Sequence, residues 1–276
     1  MKARGNQPDG REDMHSSTHW HAPTHEKIHA YHKKNTIWKK LAVSVAAVAT
    51  AIGGVTVTTS AAQAATNRDS YADTVENSTF QAARAKYGLA EQMSEGATLH
   101  AWEWSFKTIE QHIPEIAAAG YTSVQTEPIS AIHTGNKGKI FTENWYYVYQ
   151  PTDTTIGNWV MGSESDLKSL CATAHKYGVR IIVDVVANHM TATWNAIADR
   201  WKKSDLYHHD CNDGDVQDYN NRYQVTHCKL LSLYDINTSK TETANMMHDY
   251  LVQAVNDGVD GVRLDAAKHI ELPNEY

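Results

Sequence analysis

The chain has 276 residues, of which 41% are hydrophobic and 21% are charged, and its formal net charge is −7. This length suits one barrel domain or two smaller domains, and the acidic balance argues against a nucleic-acid partner. Three Cys are too few for a disulfide scaffold. The aromatic composition is biased, with eight Trp and fourteen Tyr against three Phe. Trp and Tyr have flat apolar faces with a polar tip, which suit sugar rings.

The first 64 residues have the pattern of an export signal. A polar stretch rich in His ends at Lys39 and Lys40, an uncharged stretch covers 41–57, and small residues lead to Ala62-Gln63-Ala64. We expect a secretory signal cut near Ala64, an extracellular protein and no stable membrane anchor, with an uncleaved anchor as the alternative. The irregular spacing of the histidines favours a solvated tail over a metal site.

Residues 65–94 are predicted to be a polar linker with a short helix at 79–86, and strands and helices alternate after it. The predicted strands are 97–104, 121–126, 179–186 and one that begins at Gly258, and the predicted helices are 108–119, 163–177 and 241–256. Ser105 is a candidate helix cap. This alternation predicts a parallel α/β architecture, and four such units are half of an eight-unit barrel.

The fourth strand carries the densest set of reactive side chains, within GVDGVRLDAAKHI at 258–270. Arg263 and Asp265 point the same way on a strand, so Arg263 can hold the Asp265 carboxylate ionised for nucleophilic attack. Lys268 and His269 follow the strand, where loops meet substrate. Taken alone, R-x-D has a simpler interpretation as a salt bridge with a helix cap.

The third strand ends in DVVANH at 184–189, which places Asp184 on the strand and Asn188 and His189 at its end. Alone, this motif is typical of a turn. Together with GVRLDAAKH some seventy residues later, it closely resembles two signature regions of the α-amylase family, glycoside hydrolase family 13. The resemblance covers about 97–276 and is closest to a branch of secreted bacterial enzymes.

The resemblance implies a fold and a set of roles. The fold is α/β, the N-terminal half of a (β/α)8 TIM barrel at 95–276, with a small calcium-binding domain inserted at 187–235 after the third strand. The implied catalytic residues are Asp265, the nucleophile, and its neighbour Arg263. The implied substrate-binding residues are Tyr146, Tyr149 and Gln150 of NWYYVYQP, with Asp184, His189, Lys268 and His269. Trp145 and Tyr147 are expected to pack beneath the barrel rim.

The long connection between the third strand and helix 241–256 has many oxygen donors, which calcium prefers. By resemblance, the Ca²⁺ ligands are Asn188, Asp235 and the carbonyls of Thr226 and His269; the alternative for Asp235 is a turn cap. Cys211 and Cys228 lie in the same segment, where an oxidising compartment would permit a disulfide. Cys171 lies on a helix and is expected to be a buried thiol.

The expected function is a secreted, monomeric α-amylase that cleaves internal α-1,4 bonds of starch with retention. This mechanism needs two carboxyl groups. In the family the acid/base Glu follows the fifth strand and a third Asp the seventh, beyond Tyr276, and Glu271 and Glu275 lie in the wrong element to replace them. The expectation is therefore an N-terminal fragment that is inactive alone. The alternatives are another family specificity on malto-oligosaccharides, or a non-catalytic remnant that binds calcium and glucan.

Overall fold

The structure is a computed structural model that describes residues 77–135, 143–272 and 275. These residues all belong to one compact unit, Gly54–Tyr276. The export signal, its cleavage site and the N-terminal histidines lie outside the described residues. Within the described part of the chain, no helix is long and apolar enough to cross a membrane.

The main elements follow each other in the predicted alternation. The helices are α1 (Ser78–Tyr87), α2 (Phe106–Ala118), α3 (Glu164–Lys176), α4 (Arg222–His227) and α5 (Thr241–Asn256). The strands are β1 (Ala97–His100), β2 (Tyr121–Pro128), β3 (Ser130–Ile132), β4 (Pro151–Asn158), β5 (Gly162–Ser163), β6 (Arg180–Val186), β7 (His189–Met190), β8 (Tyr234–Asp235) and β9 (Gly261–Asp265).

The central sheet consists of four parallel strands in the order β1, β2, β6, β9. In the register between β6 and β9, Asp184 pairs with Arg263 and Val186 pairs with Asp265. Because the strands are parallel, their carboxyl ends meet at one edge, and that edge holds the charged residues. The predicted parallel α/β fold, half of a barrel, is confirmed.

The helices cover the sheet through their apolar faces. Phe106, Ile109 and Ile113 of α2 and Leu167 and Leu170 of α3 are fully buried in the same core as the strand interiors. Burial of these side chains is the main favourable term in the folding of the domain. Helix α2 begins two residues earlier than predicted because Ser105 accepts a hydrogen bond from the backbone N–H of Thr108 at 3.2 Å.

The first predicted strand, 97–104, is shorter in the structure. Strand β1 ends at His100, and Glu103 has a φ of 62°, which an extended strand does not allow. A second sheet, β3–β4–β5, was not predicted; it is antiparallel and follows β2. Pro151 starts β4, a position where a strand tolerates proline.

Helix α1 lies within the stretch predicted to be a linker, close to the helix expected at 79–86. Its Phe80 is fully buried, with its ring centroid 5.9 Å from that of His175 on α3. Arg84 donates a hydrogen bond to the carbonyl of Gly178 at 3.0 Å. Residues 78–87 are therefore packed against the domain rather than extended away from it, because α1 presents an aromatic ring to α3 and an arginine to the turn after α3.

The connection between β6 and α5, residues 187–240, contains the insertion predicted at 187–235, whose two ends lie side by side because β7 pairs antiparallel with β8. Its own core contains Met190, Ile197, Trp201, Leu206, Tyr207 and Ile236. Cys211 and Cys228 form a disulfide with a Cα–Cα distance of 5.7 Å, a pairing that the sequence permits but does not decide. Cys171 is a buried free thiol, as predicted.

Candidate active site

Arg263 joins two carboxylates at the carboxyl edge of the sheet. Its Nη1 donates hydrogen bonds of 2.8 Å to Asp184 Oδ2 and 2.8 Å to Asp265 Oδ1. Arg263 and Asp265 lie two positions apart on β9 and Asp184 faces Arg263 from β6, so strand geometry alone creates this triad. The predicted contact between Arg263 and Asp265 is present, and Asp184 holds the same arginine by a second hydrogen bond.

The two carboxylates differ in their surroundings. Asp184 is fully buried, and burial raises its pKa to about 7 even though the Arg263 guanidinium lowers it. The Asp265 side chain keeps 20% of its surface exposed and lines a cavity of about 540 Å³. Only Asp265 of this pair can therefore reach a molecule in the cavity.

This cavity, the aromatic cleft, has a largely apolar wall. Its lining residues are Trp102, Trp145, Tyr146, Tyr149, Gln150, His189, Ala192, Leu230, Leu231, Leu233 and Asp265. Flat aromatic faces bury the C–H surface of a sugar ring while its hydroxyls stay solvated. The structure thus brings Tyr146, Tyr149, Gln150, His189 and Asp265 together, as the sequence predicts.

Trp145 corrects the expectation that it packs beneath the rim. It is 44% exposed and lies 5.7 Å from the ring of Trp102, which is 41% exposed. Val148 is the fully buried residue of this turn, because the turn 145–149 is a 3₁₀ helix that points one side chain inward. Tyr147 stacks on His133 at 5.3 Å and is half-buried.

Gln150 and His189 form the polar side of the cleft. Gln150 Oε1 accepts a hydrogen bond from the Thr191 hydroxyl at 2.9 Å. His189 Nε2 lies 3.1 Å from the carbonyl oxygen of Tyr149, so this nitrogen carries the proton and donates it. Burial lowers the pKa of His189 and so favours the neutral ring, whose tautomer is set by the hydrogen bond to the Tyr149 carbonyl.

Glu127, at the end of β2, is a residue that sequence reasoning missed. Its side chain is fully buried, accepts a hydrogen bond from the Tyr149 hydroxyl at 3.2 Å and lies 3.0 Å from His100 Nε2. Burial raises its pKa, against the opposing effects of His100 and Tyr149. A Glu before a proline gave no sequence signal, because its partners come from two distant segments.

Lys268 and His269 lie in the turn after β9 and outside the lining of the aromatic cleft. Lys268 is exposed, with its Nζ 5.2 Å from the ring centroid of Tyr219 in the insertion. His269 is buried and its Nδ1 donates to the carbonyl of Val225 at 2.7 Å. Burial lowers the pKa of His269, so it acts here as a neutral link between β9 and α4.

The four predicted calcium ligands, Asn188, Thr226, Asp235 and His269, are all buried. Asn188 Nδ2 lies 3.2 Å from Asp235 Oδ1. The contact of His269 with Val225 also brings the turn after β9 to the residue next to Thr226. One carboxylate, one amide and two backbone carbonyls are hard oxygen donors, so the set fits calcium.

His208 neutralises part of the negative charge near this set. Its Nδ1 lies 2.7 Å from Asp235 Oδ2 and its Nε2 lies 3.0 Å from Glu271 Oε1. Burial alone would lower the pKa of His208, but its hydrogen bonds to the two carboxylates raise it to about 9. Burial raises the pKa of Asp235 to about 6, so a cation beside this carboxylate stabilises its ionised form.

A partly exposed carboxylate held by arginine at the carboxyl ends of parallel strands, beside an aromatic cleft, is the arrangement of an α/β-barrel protein with a site at that end of its strands. A family model described as alpha amylase, catalytic domain, matches residues 106–276. The chain therefore belongs to the α-amylase family, glycoside hydrolase family 13.

Curated relatives agree with the family. The α-amylase of Clostridium acetobutylicum is 40% identical over 189 residues, which cover 66% of this chain and 24% of that protein. The α-amylase of Butyrivibrio fibrisolvens is 39% identical over 193 residues, covering 67% of this chain and 20% of that protein. The chain thus spans about a quarter or less of the length of these two relatives.

Solved structures support the same fold. A mutant of α-amylase I from Eisenia fetida in complex with maltohexaose matches with a TM-score of 0.57 and 28% identity, over 64% of this chain and 38% of that chain. An α-amylase from Geobacillus thermoleovorans in complex with acarbose matches with a TM-score of 0.56 and 20% identity, over 66% and 42% of the two chains.

Proposed function

We propose that this chain carries the nucleophile-bearing half of the barrel of a secreted α-amylase that hydrolyses internal α-1,4 bonds of starch with retention. The observation that carries the proposal is the position of Asp265, which opens into the aromatic cleft while Arg263 holds one of its oxygens at 2.8 Å. The maltohexaose and acarbose found with structural relatives support an α-glucan as the substrate.

In the proposed reaction, a glucan lies across the cleft with sugar rings against Trp102, Trp145 and Tyr146. An Asp265 oxygen attacks the anomeric carbon while the leaving sugar oxygen takes a proton from the acid/base group of the whole enzyme. Water then hydrolyses the covalent glycosyl-enzyme and returns a proton to that group, which frees Asp265. Arg263 keeps Asp265 oriented through both steps. His189, whose Nε2 donates to the Tyr149 carbonyl, forms part of the polar side of the cleft beside the bound sugar.

Calcium is proposed to be held by Asn188, Asp235 and the carbonyls of Thr226 and His269. When bound, it would supply positive charge and fix the insertion to the turn after β9. The chain's own residues already bridge these elements, since His269 contacts Val225 and Arg222 donates to the carbonyl of Ile270 at 2.7 Å.

The acid/base is proposed to lie outside the four strands. Asp184 and Asp265 bind the same Arg263 nitrogen, but Asp184 is fully buried and cannot protonate a glycosidic oxygen in the cleft. Because the relatives are several times longer than the matched segment, we propose that the whole enzyme carries this group in its remaining barrel units. The chain alone is then expected to bind glucan but not to hydrolyse starch.

A fluorinated α-maltosyl fluoride tests the nucleophile without the acid/base, because fluoride leaves without a proton. Incubation with the chain should add one maltosyl group, and peptide mass spectrometry should place it on Asp265. Asp265→Asn should abolish labelling, and Asp249→Asn, an exposed carboxylate on α5, should retain it. Labelling of another residue, or equal labelling of Asp265→Asn, would refute the assignment.

Absence of labelling together with tight binding of maltohexaose would instead favour the non-catalytic glucan-binding alternative. A specificity for short malto-oligosaccharides or for transglycosylation is tested separately, by the product profile on starch of a protein in which this chain is continued by the missing barrel units.

Export is part of the proposal. The disulfide between Cys211 and Cys228 supports it, since such bridges persist in oxidising compartments. When the protein is expressed in a secreting bacterial host, it should be found in the culture medium. Mass spectrometry should place its N-terminus close to Ala64. Retention in the membrane fraction with an intact N-terminus would favour the uncleaved anchor.

A further inference from the structure

Three potential metal ligands meet beneath the insertion, apart from the aromatic cleft. His208, His227 and Glu271 each offer one ligand atom, and these atoms lie within 4.8 Å of one another. His208 and His227 belong to the insertion, and Glu271 follows the turn after β9. His208 and Glu271 are buried and His227 is half-buried, so the cluster is shielded from bulk water.

Each of the three side chains is held by its other polar atom. Asp235 Oδ2 lies 2.7 Å from His208 Nδ1, which directs His208 Nε2 to Glu271 Oε1 at 3.0 Å. The Thr226 hydroxyl lies 2.8 Å from His227 Nδ1, and the Thr238 hydroxyl donates to Glu271 Oε2. Outer partners of this kind orient metal-binding histidines and carboxylates and fix their tautomers.

The donor types select one class of metal. Two imidazole nitrogens and one carboxylate oxygen form a set that zinc uses, whereas calcium takes oxygen ligands. The His208 and His227 rings lie with centroids 4.4 Å apart, tilted by 32°. Tetrahedral zinc with bonds of about 2.0–2.1 Å needs ligand atoms about 3.4 Å apart. Small side-chain rotations would bring the three ligand atoms from within 4.8 Å of one another to that distance.

We propose that His208, His227 and Glu271 bind zinc or a similar divalent transition metal, with a fourth position left for water. This site is separate from the proposed calcium site but touches it. Asp235 faces Asn188 with Oδ1 and orients His208 with Oδ2. The metal would tie the insertion to the segment after β9, the strand that carries Asp265.

A simpler arrangement explains part of the cluster. Protonated His208 between Asp235 and Glu271 forms a buried ion pair without any metal. That arrangement gives no role to His227, whose ring packs between His208 and Tyr223 and whose Nδ1 is held by Thr226. The involvement of His227 therefore distinguishes the two possibilities.

Cobalt(II) is a suitable probe because tetrahedral cobalt absorbs strongly in the visible range. The full chain, saturated with calcium, would be titrated with cobalt and then with zinc. The N-terminal histidines also attract cobalt, so the informative quantity is the difference between variants that all retain them. Wild type should bind one more equivalent of cobalt than either His227→Gln or Glu271→Gln does. This additional cobalt should give a tetrahedral absorption spectrum that disappears when zinc is added.

Loss of either ligand should remove this equivalent at the cobalt concentrations that saturate wild type, since even loss of an outer partner of a metal ligand weakens metal binding by about 10–100-fold. The matched control is His209→Gln, because His209 is exposed and contacts Asp213 at 2.9 Å outside the cluster. Circular dichroism would verify that each variant is folded. If His227→Gln does not fold, Glu271→Gln provides the comparison with wild type. The proposal would be overturned if wild type and a folded ligand variant bound the same number of cobalt ions with the same spectra. Displacement of the cobalt by excess calcium would also overturn it.

Discussion

Asp184 is a buried carboxylate whose ionisation opposes folding. Burial raises its pKa from 3.8 to about 7 in the folded protein. Between these pH values the folded state binds the proton more tightly than the unfolded chain does. The contribution of Asp184 to the free energy of unfolding therefore falls as pH rises from about 4 to about 7 and is constant above that range.

We predict that Asp184→Asn flattens the pH dependence of stability. Between about pH 4 and about pH 7, the free energy of unfolding should fall by on the order of 4 kcal/mol more in wild type than in the variant. One pKa unit corresponds to about 1.4 kcal/mol. Urea denaturation at a series of pH values measures both slopes. Asp249→Asn, on exposed α5 surface, should keep the wild-type slope; parallel slopes for Asp184→Asn and wild type would contradict the prediction.

Trp145 is predicted to be an anchor for glucan. Its ring is 44% exposed and lines the aromatic cleft beside Trp102. Trp145→Ala should weaken maltohexaose binding roughly tenfold, because an aromatic contact of this kind contributes on the order of 1 kcal/mol beyond its buried area. Calorimetric titration provides the affinity. Met93→Ala removes an equally exposed apolar side chain outside the cleft and should bind as wild type does; equal losses in both variants would argue against Trp145.

At the scale of elements, the disulfide closes a loop of the insertion. Cys211 and Cys228 are 17 positions apart, and closing such a loop stabilises the folded state by about 3 kcal/mol through the unfolded chain. We predict that replacing both with Ser speeds proteolytic cleavage within 187–240 while cleavage between β1 and α3 stays unchanged. Reduced wild type is the control and should match the variant. Cleavage at the wild-type rate would show that the small core around Val216 and Val225 suffices.

The sequence predicts some elements better than others, for physical reasons. The strand at 180–186 and the helix Thr241–Asn256 were foreseen because continuous apolar runs and amphipathic spacing are local signals. The sheet β3–β4–β5 was not foreseen, because β3 and β5 are very short, β4 is rich in polar residues, and β3 and β4 lie far apart in the sequence. Its pairing depends on tertiary context, which local pattern does not record.

The same limit applies within the candidate site. Asp265 and Arg263 could be paired from the sequence because strand alternation places them on one face. Glu127, Trp102 and Leu231 enter the site only through folding, which brings β2, the β1 loop and the insertion together. Trp145 was placed wrongly because a run of aromatic residues does not reveal which ring faces outward.

At the scale of the whole molecule, calcium is predicted to couple the insertion to the sheet. Its proposed ligands come from the end of β6, α4, β8 and the turn after β9. A ligand that binds only the folded state stabilises it by about 2.7 kcal/mol at one hundred times its dissociation constant. Removal of calcium by a chelator should therefore lower the melting temperature by several degrees, as measured by circular dichroism.

Asp235→Asn should weaken this response, and magnesium should fail to restore it, because magnesium demands a smaller octahedral site. The control is Asp213→Asn, an exposed carboxylate of the insertion that contacts His209. An unchanged melting temperature on chelation would count against a calcium site in this chain.

The pairing of β7 with β8 has a consequence for how such proteins diversify. Because the two ends of the insertion lie next to each other, the chain enters and leaves the insertion at almost the same place. Lengthening or exchanging the intervening residues then perturbs the barrel little, since its strands keep their register and the closure entropy grows slowly with loop length. The insertion supplies Leu230, Leu231 and Leu233 to one wall of the cleft. Exchange of a single contiguous segment would thus reshape this wall of the cleft while Asp265 stays in place.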